Sequence, residues 1–211
     1  MNVSRLLVIL IQHGTLRTGH STMSFSLHAY NKVPLWKSPH VREFVQPFPI
    51  IENNYHVEAE QYNEGIKKIL LDGIDVQSKL TNVKAKMSSW FMHKEHKEFA
   101  WVCGKAESLA IRNSPHQVDY RIQDCWGAIY KKGDWTKKHD HWPCVWSFVY
   151  YVECCSKCSP LVFHDAPEGT HWIRPEIGKL VLFPAWLLHS VPEQICDHDR
   201  IMVAGNIRLS K

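Results

Sequence analysis

The chain has 211 residues, 45% of them hydrophobic and nine of them tryptophan, which suits one domain with a substantial core and excludes wholesale disorder. A formal charge of +4, with no run of five or more like charges, is too weak to argue for nucleic acid as a partner. Seven cysteines, an odd number, read as reduced thiols of a cytoplasmic compartment rather than as a disulfide framework.

At the N-terminus, LLVILI at 6–11 falls far short of the roughly 20 residues a membrane span needs, and no small-x-small cleavage site follows it. Residues 1–22 read as an extension that does not blend with MSFSLHAYNKVPLW, which begins at Met23 and would serve as a start of its own. Residues 24–57 read as extended chain and short strands. Tyr62, Ile66, Ile69 and Leu70 form an amphipathic helical stripe that Gly73 ends. Phe99, Val102, Ala106, Leu109 and Ala110 predict a second helix over about 94–111, stopped by NSP at 113–115.

After Pro115 the character turns β. The segments YRIQDCWGAIY (120–130), VWSFVYYVE (145–153), PLVFH (160–164), KLVLFP (179–184), LLHSV (187–191) and RIMVAGNI (200–207) follow one another between turn residues. Alternation puts Trp146, Phe148, Tyr150 and Val152 on one face. The expected fold is mainly β with supporting helices (α+β). It is one domain over 23–211, with helical support over about 60–112 and a β-sandwich or barrel core over about 120–208.

Candidate chemistry centres on WTKKHDHWP at 135–143. His139 and His141, two apart at a strand end, can face one point, with Asp140 turned elsewhere. Imidazole alone does not choose among Fe, Zn, Cu and Ni. His189, in LFPAWLLHSVPE, is a third candidate ligand. Arg200 is a fixed cation with a planar fork suited to a buried carboxylate.

The order of these pieces resembles the 2-oxoglutarate- and Fe(II)-dependent oxygenases, closest to a prolyl-hydroxylase-like branch common in phages and marine bacteria. The resemblance spans roughly 82–208 and rests on WGAIYKKGDWTKKHDHWP, SFVYYVE, PLVF, GKLVLFPAWLLHSV and RIMVAGNI. It implies a double-stranded β-helix (jelly-roll, cupin-like) core. It also implies an enzyme that hydroxylates a C–H bond while decarboxylating 2-oxoglutarate to succinate, with ascorbate as an accessory reductant. His139 and His189 would be iron ligands and Arg200 would hold the distal carboxylate of 2-oxoglutarate. A phage-like relative would place the protein in a host cytoplasm.

The chain departs from the family twice. His141 stands where the family has a carboxylate, so the third metal ligand is His141, Asp140 or Asp165. Met202 stands where a small hydroxyl residue often helps bind the carboxylate. Methionine donates no hydrogen bond, so Tyr130 or Tyr150 would have to replace it. Asn206, on the same strand, is a further candidate contact or a structural amide. Two other functions stay open: a three-histidine metal enzyme that uses no 2-oxoglutarate, and a non-catalytic cupin-like binding module. The substrate, a peptide, protein or small molecule, is not readable. Cys154, Cys155 and Cys158 in CCSKC read as a turn with free thiols, because no second C-x-x-C pair exists to complete a zinc site; Cys196 and His198 are the nearest pair of the right types.

Overall fold

A computed structural model describes residues 13–18, 21–32, 45–73, 82–114, 117–166 and 169–210. In chain order, β1 (His13–Thr18), β2 (Ser21–Lys32) and β3 (Val45–Asn54) precede helix α1 (His56–Gly73). Two short strands, β4 (Val83–Lys84) and β5 (Lys86–Met87), lead into helices α2 (Met92–Glu95) and α3 (Lys97–Asn113). Eight strands complete the chain: β6 (Tyr120–Tyr130), β7 (Trp135–His139), β8 (Trp146–Glu153), β9 (Leu161–Ala166), β10 (Gly169–Ile173), β11 (Lys179–Pro184), β12 (His189–Val191) and β13 (Arg200–Leu209).

These strands make two antiparallel sheets, ordered β1-β2-β3-β11-β8-β13-β6-β5 and β10-β9-β12-β7-β4. From β6 onward every connection except β9–β10 crosses from one sheet to the other. That winding is a double-stranded β-helix, and it brings residues distant in sequence to one inter-sheet space. Residues 13–18 of the expected extension pair with β2 at the edge of the larger sheet. Residues 1–12 lie outside those described.

Period-two alternation divides the larger sheet's side chains. Cys125, Ile129, Phe148, Tyr150, Leu180, Leu182, Val203 and Ile207 pack toward Ile66 and Leu70 of α1 and Phe99, Val102 and Ala106 of α3. Trp126, Ala128, Tyr130, Val149, Tyr151, Val181, Phe183, Met202 and Ala204 face the other way, onto Leu161, Phe163 and Val191 of the smaller sheet. The helices thus brace one side of the sheet, and the opposite side is left to build a site. Gly205 makes room where β13 passes Phe148: a Cβ there would lie 2.5 Å from the Asp124 carbonyl oxygen and 2.6 Å from Phe148 Cζ.

Candidate metal centre and ligand cleft

Strand β12 lies between β7 and β9, and His189 sits directly opposite His139 in the antiparallel register. Their ring centroids are 4.3 Å apart. Between Thr136 and His139 the register with β12 shifts, with three residue steps on β7 against two, from His189 to Val191. Such a bulge re-aims side chains, and it lets Thr136 and His139 line the same cleft.

His141 joins them by a different route from the one the sequence suggests. β7 ends at His139, and His141 belongs to the turn that follows. Its backbone N–H donates to the Ala185 carbonyl at 2.7 Å, which ties the turn to the chain leading into β12. The His141 ring then stands 4.8 Å from that of His139 and 5.1 Å from that of His189. One ligand nitrogen from each of the three lies within 4.8 Å of the others. Asp140 is not in this group: its Oδ1 accepts the Trp142 N–H at 3.1 Å, closing a local turn. The Asp165 side chain lies outside the described residues.

The tautomers follow from the partners. His139 Nδ1 lies 2.7 Å from the Lys137 carbonyl and His189 Nδ1 lies 2.9 Å from the Leu187 carbonyl. A carbonyl only accepts, so Nδ1 carries the proton in both rings, and the Nε2 lone pair is left for a metal. All three imidazoles are held neutral. Burial, and then the other two histidines, pushes His189 well below its usual value. Burial lowers His139, and burial followed by the His139 charge lowers His141 to about 4.

These depressed values make a pH prediction. Between about pH 6.5 and pH 4 the unfolded chain holds protons on these rings that the fold excludes, so stability falls as pH falls. For His141 alone, going from pH 7 to pH 5 costs roughly 2 kcal/mol. Thermal unfolding in chelator at the two pH values should show this loss, and His141→Asn should flatten it. Equal slopes for the two proteins would refute the burial of His141.

Arg200 opens β13 and is paired in register with Tyr130. It is 0% exposed, and Nε, Nη1 and Nη2 have no hydrogen-bond acceptor among the described residues. Instead the guanidinium lies between two aromatic rings, 4.8 Å from the Tyr130 centroid and 5.1 Å from that of Tyr151. Burial holds both phenols above their usual range, so neither supplies a counter-anion. A buried unpaired cation costs several kcal/mol, and an anion brought to it recovers that cost. The cleft in front of it, about 450 Å³ counting its open mouth, is lined by His139, His141, His189, Arg200, Tyr130 and Met202, among others.

The remaining candidates separate. Tyr130 lines the cleft, its hydroxyl 2.6 Å from Thr136 Oγ1. Tyr150 is corrected: it packs on the helical side of the sheet, where its hydroxyl donates to Asn63 Oδ1 at 2.8 Å. Its place by Arg200 goes to Tyr151, whose hydroxyl is buried without a partner among the described residues. The alternation of VWSFVYYVE already pointed Tyr151 away from Tyr150. Asn206 has both ends of its amide engaged, accepting from Ser147 Oγ at 2.7 Å and donating to Asp124 Oδ1 at 2.8 Å. It is a structural amide that holds Ser147, itself a cleft residue.

The comparisons with known proteins agree with this geometry. The family model described as "Putative 2OG-Fe(II) oxygenase" matches residues 164–206, a stretch that contains both His189 and Arg200. That match covers the last part of the chain, and the fold is that of the solved 2-oxoglutarate/Fe(II) oxygenase structures. The structure of a Pseudomonas putida prolyl-4-hydroxylase aligns with TM-score 0.61 and 16% identity, over 77% of this chain and 93% of that one. The viral collagen prolyl hydroxylase of Paramecium bursaria Chlorella virus-1, in its 2OG complex, aligns with TM-score 0.56 and 18% identity, over 77% and 96%. The non-heme α-ketoglutarate-dependent carbocyclase SnoK of nogalamycin biosynthesis aligns with TM-score 0.62 and 9% identity, over 76% and 79%. No curated protein matches. Among the described residues no helix is long and apolar enough to cross a membrane.

The residues present fit both groups this fold implies. Three neutral imidazoles with lone pairs directed together suit Fe(II), and the orphaned Arg200 guanidinium suits the distal carboxylate of 2-oxoglutarate.

Proposed function

We propose that this protein is a non-haem Fe(II)- and 2-oxoglutarate-dependent oxygenase that hydroxylates a C–H bond of a peptide, protein or small-molecule substrate. The observation that carries the reading is Arg200, a fully buried cation without an acceptor among the described residues, lining the same cleft as three converging histidines. A zinc site activating water has no use for it.

When bound, iron and 2-oxoglutarate supply the oxidising step, in which substrate, O2 and 2-oxoglutarate give hydroxylated substrate, succinate and CO2. His139, His141 and His189 would hold the metal through neutral nitrogens. Three neutral ligands leave the centre one positive unit above the family's usual two-histidine, one-carboxylate set. That favours the chelating end of an anionic 2-oxo-acid. Arg200 fixes the other end, between the rings of Tyr130 and Tyr151. The Tyr151 hydroxyl donates where Met202 cannot. Apolar walls, among them Phe183, Leu161 and Val191, exclude water from the cleft.

The test is anaerobic titration of the metal-free protein with Fe(II) and then 2-oxoglutarate. The expected result is the weak visible charge-transfer band of a chelated 2-oxo-acid, and succinate once air and ascorbate are admitted. Iron binding without the band would overturn the co-substrate and leave a three-histidine metal protein. Absence of both would leave a binding module.

A further inference from the structure

Away from the cleft, three sulfurs meet. Cys155 and Cys158 lie in the turn from β8 to β9, and Cys196 lies in the connection from β12 to β13. Their Sγ atoms are 3.7 Å (Cys155–Cys158), 3.8 Å (Cys155–Cys196) and 3.7 Å (Cys158–Cys196) apart. A disulfide would need about 2.05 Å. With Zn–S bonds of about 2.3 Å, two sulfurs of a tetrahedral zinc site stand about 3.8 Å apart. The three thiols therefore already form one face of such a tetrahedron. The sequence shows only C-x-x-C; the third sulfur comes from about 40 residues further on and is brought in by the fold.

A second observation points the same way. Gln194 is 1% exposed, and its amide is locked: Oε1 accepts the Ser159 N–H at 2.8 Å. Its NH2 group must then face the cluster, and it lies 3.2 Å from both Cys158 Sγ and Cys196 Sγ and 3.0 Å from the His198 carbonyl. The Cys155 N–H adds a donor to Cys158 Sγ at 3.3 Å. A neutral thiol is a weak acceptor, whereas a metal-bound thiolate is the acceptor such donors serve. Buried N–H groups arranged around sulfur are what a thiolate centre requires.

We propose that Cys155, Cys158 and Cys196 bind one zinc ion at a site separate from the histidine centre. Its fourth corner is closed by water, because the His198 ring is turned to other partners, Nδ1 2.8 Å from the Asp199 carbonyl and Nε2 3.6 Å from Glu153 Oε1. The two connections it joins each carry the chain between the two sheets. Gln194 also ties them to a third, through Gly133 N–H to the Gln194 carbonyl and Gln194 N–H to the Asp134 carbonyl, both 2.8 Å. The ion is a staple at one end of the sandwich, four residues before Arg200 enters β13.

The test uses the whole, reduced, metal-free protein and Co(II) as a probe. An imidazole site gives no sulfur-to-cobalt charge transfer, so the histidine centre is silent in the near ultraviolet. One equivalent of Co(II) at the cysteines should give an intense near-ultraviolet thiolate band, abolished by one equivalent of Zn(II). Cys158→Ser should weaken zinc binding at least 100-fold. Cys158 is buried, so the half-exposed Cys155→Ser is made in parallel and should lower the band by about a third, while leaving the visible band of iron and 2-oxoglutarate intact. A wild-type protein that binds Co(II) without a thiolate band would overturn the site. So would a band that both serine variants retain in full, or a reduced-state mass that persistently shows a disulfide.

Discussion

Replacing Arg200 with methionine should remove 2-oxoglutarate binding while leaving the ligand-free protein as stable as before, or more so. Truncating one partner of a buried charged pair costs about 2–5 kcal/mol, which is a fall in affinity of about 30- to 4,000-fold at about 1.4 kcal/mol per decade. The gain in stability has the same origin. The guanidinium is fully buried with no acceptor among the described residues, so the unliganded fold carries its desolvation uncompensated. An apolar side chain of similar volume removes that cost, by about 1–4 kcal/mol in comparable replacements. Isothermal titration with 2-oxoglutarate and thermal unfolding with and without it read both effects. Arg200→Lys should fall between, since an ammonium keeps the charge but not the fork. If Arg200→Met destabilises the ligand-free protein by several kcal/mol, the guanidinium is already paired and the proposed anion site is lost.

His189→Ala should abolish metal binding and turnover together. His189 touches both other imidazoles and packs 4.8 Å from the Phe183 ring. It is the most buried member of the group, so no outside ligand easily takes its place. Changes in groups that merely orient a ligand cost 10- to 100-fold in metal affinity, so loss of a direct ligand should exceed about 100-fold. The readout is the metal-induced thermal shift, about 2.7 kcal/mol when free metal stands at 100 times its Kd, which should vanish. His141→Asp should behave differently, because a carboxylate at that turn supplies an anionic ligand and returns the set to the family's usual composition. A His189→Ala protein that still binds Fe(II) stoichiometrically would remove the histidine centre. Unaltered protein that binds Fe(II) at the histidines without turnover would keep the site and discard the enzyme.

Much of this was written in local pattern. Strands β6, β8, β9, β11, β12 and β13 announce themselves by alternation and β-branched or aromatic content, whereas β10 does not, and the helical stripes of α1 and α3 show which faces they bury. His139, His189 and Arg200 could be picked out because each sits at the end of a recognisable strand. The same alternation that sends Tyr150 to the helices sends Tyr151 to the inter-sheet side, beside Arg200, so that assignment was legible and only its consequence was missed.

What the sequence by itself determined is therefore the type, order and buried face of the elements, since these depend on residues within a few positions of one another. Tertiary structure alone decided which distant groups meet. The turn that swings His141 beside His139 and His189 is set by an N–H bond to Ala185, a partner 44 residues away. The Tyr151 ring meets a guanidinium only because Arg200 arrives beside it from the last strand. Cys196 reaches the CCSKC turn across two sheet crossings, and no local spacing encodes that approach. Winding a chain between two sheets converts separations of tens of residues into a few ångströms, and pattern along one dimension carries no record of it.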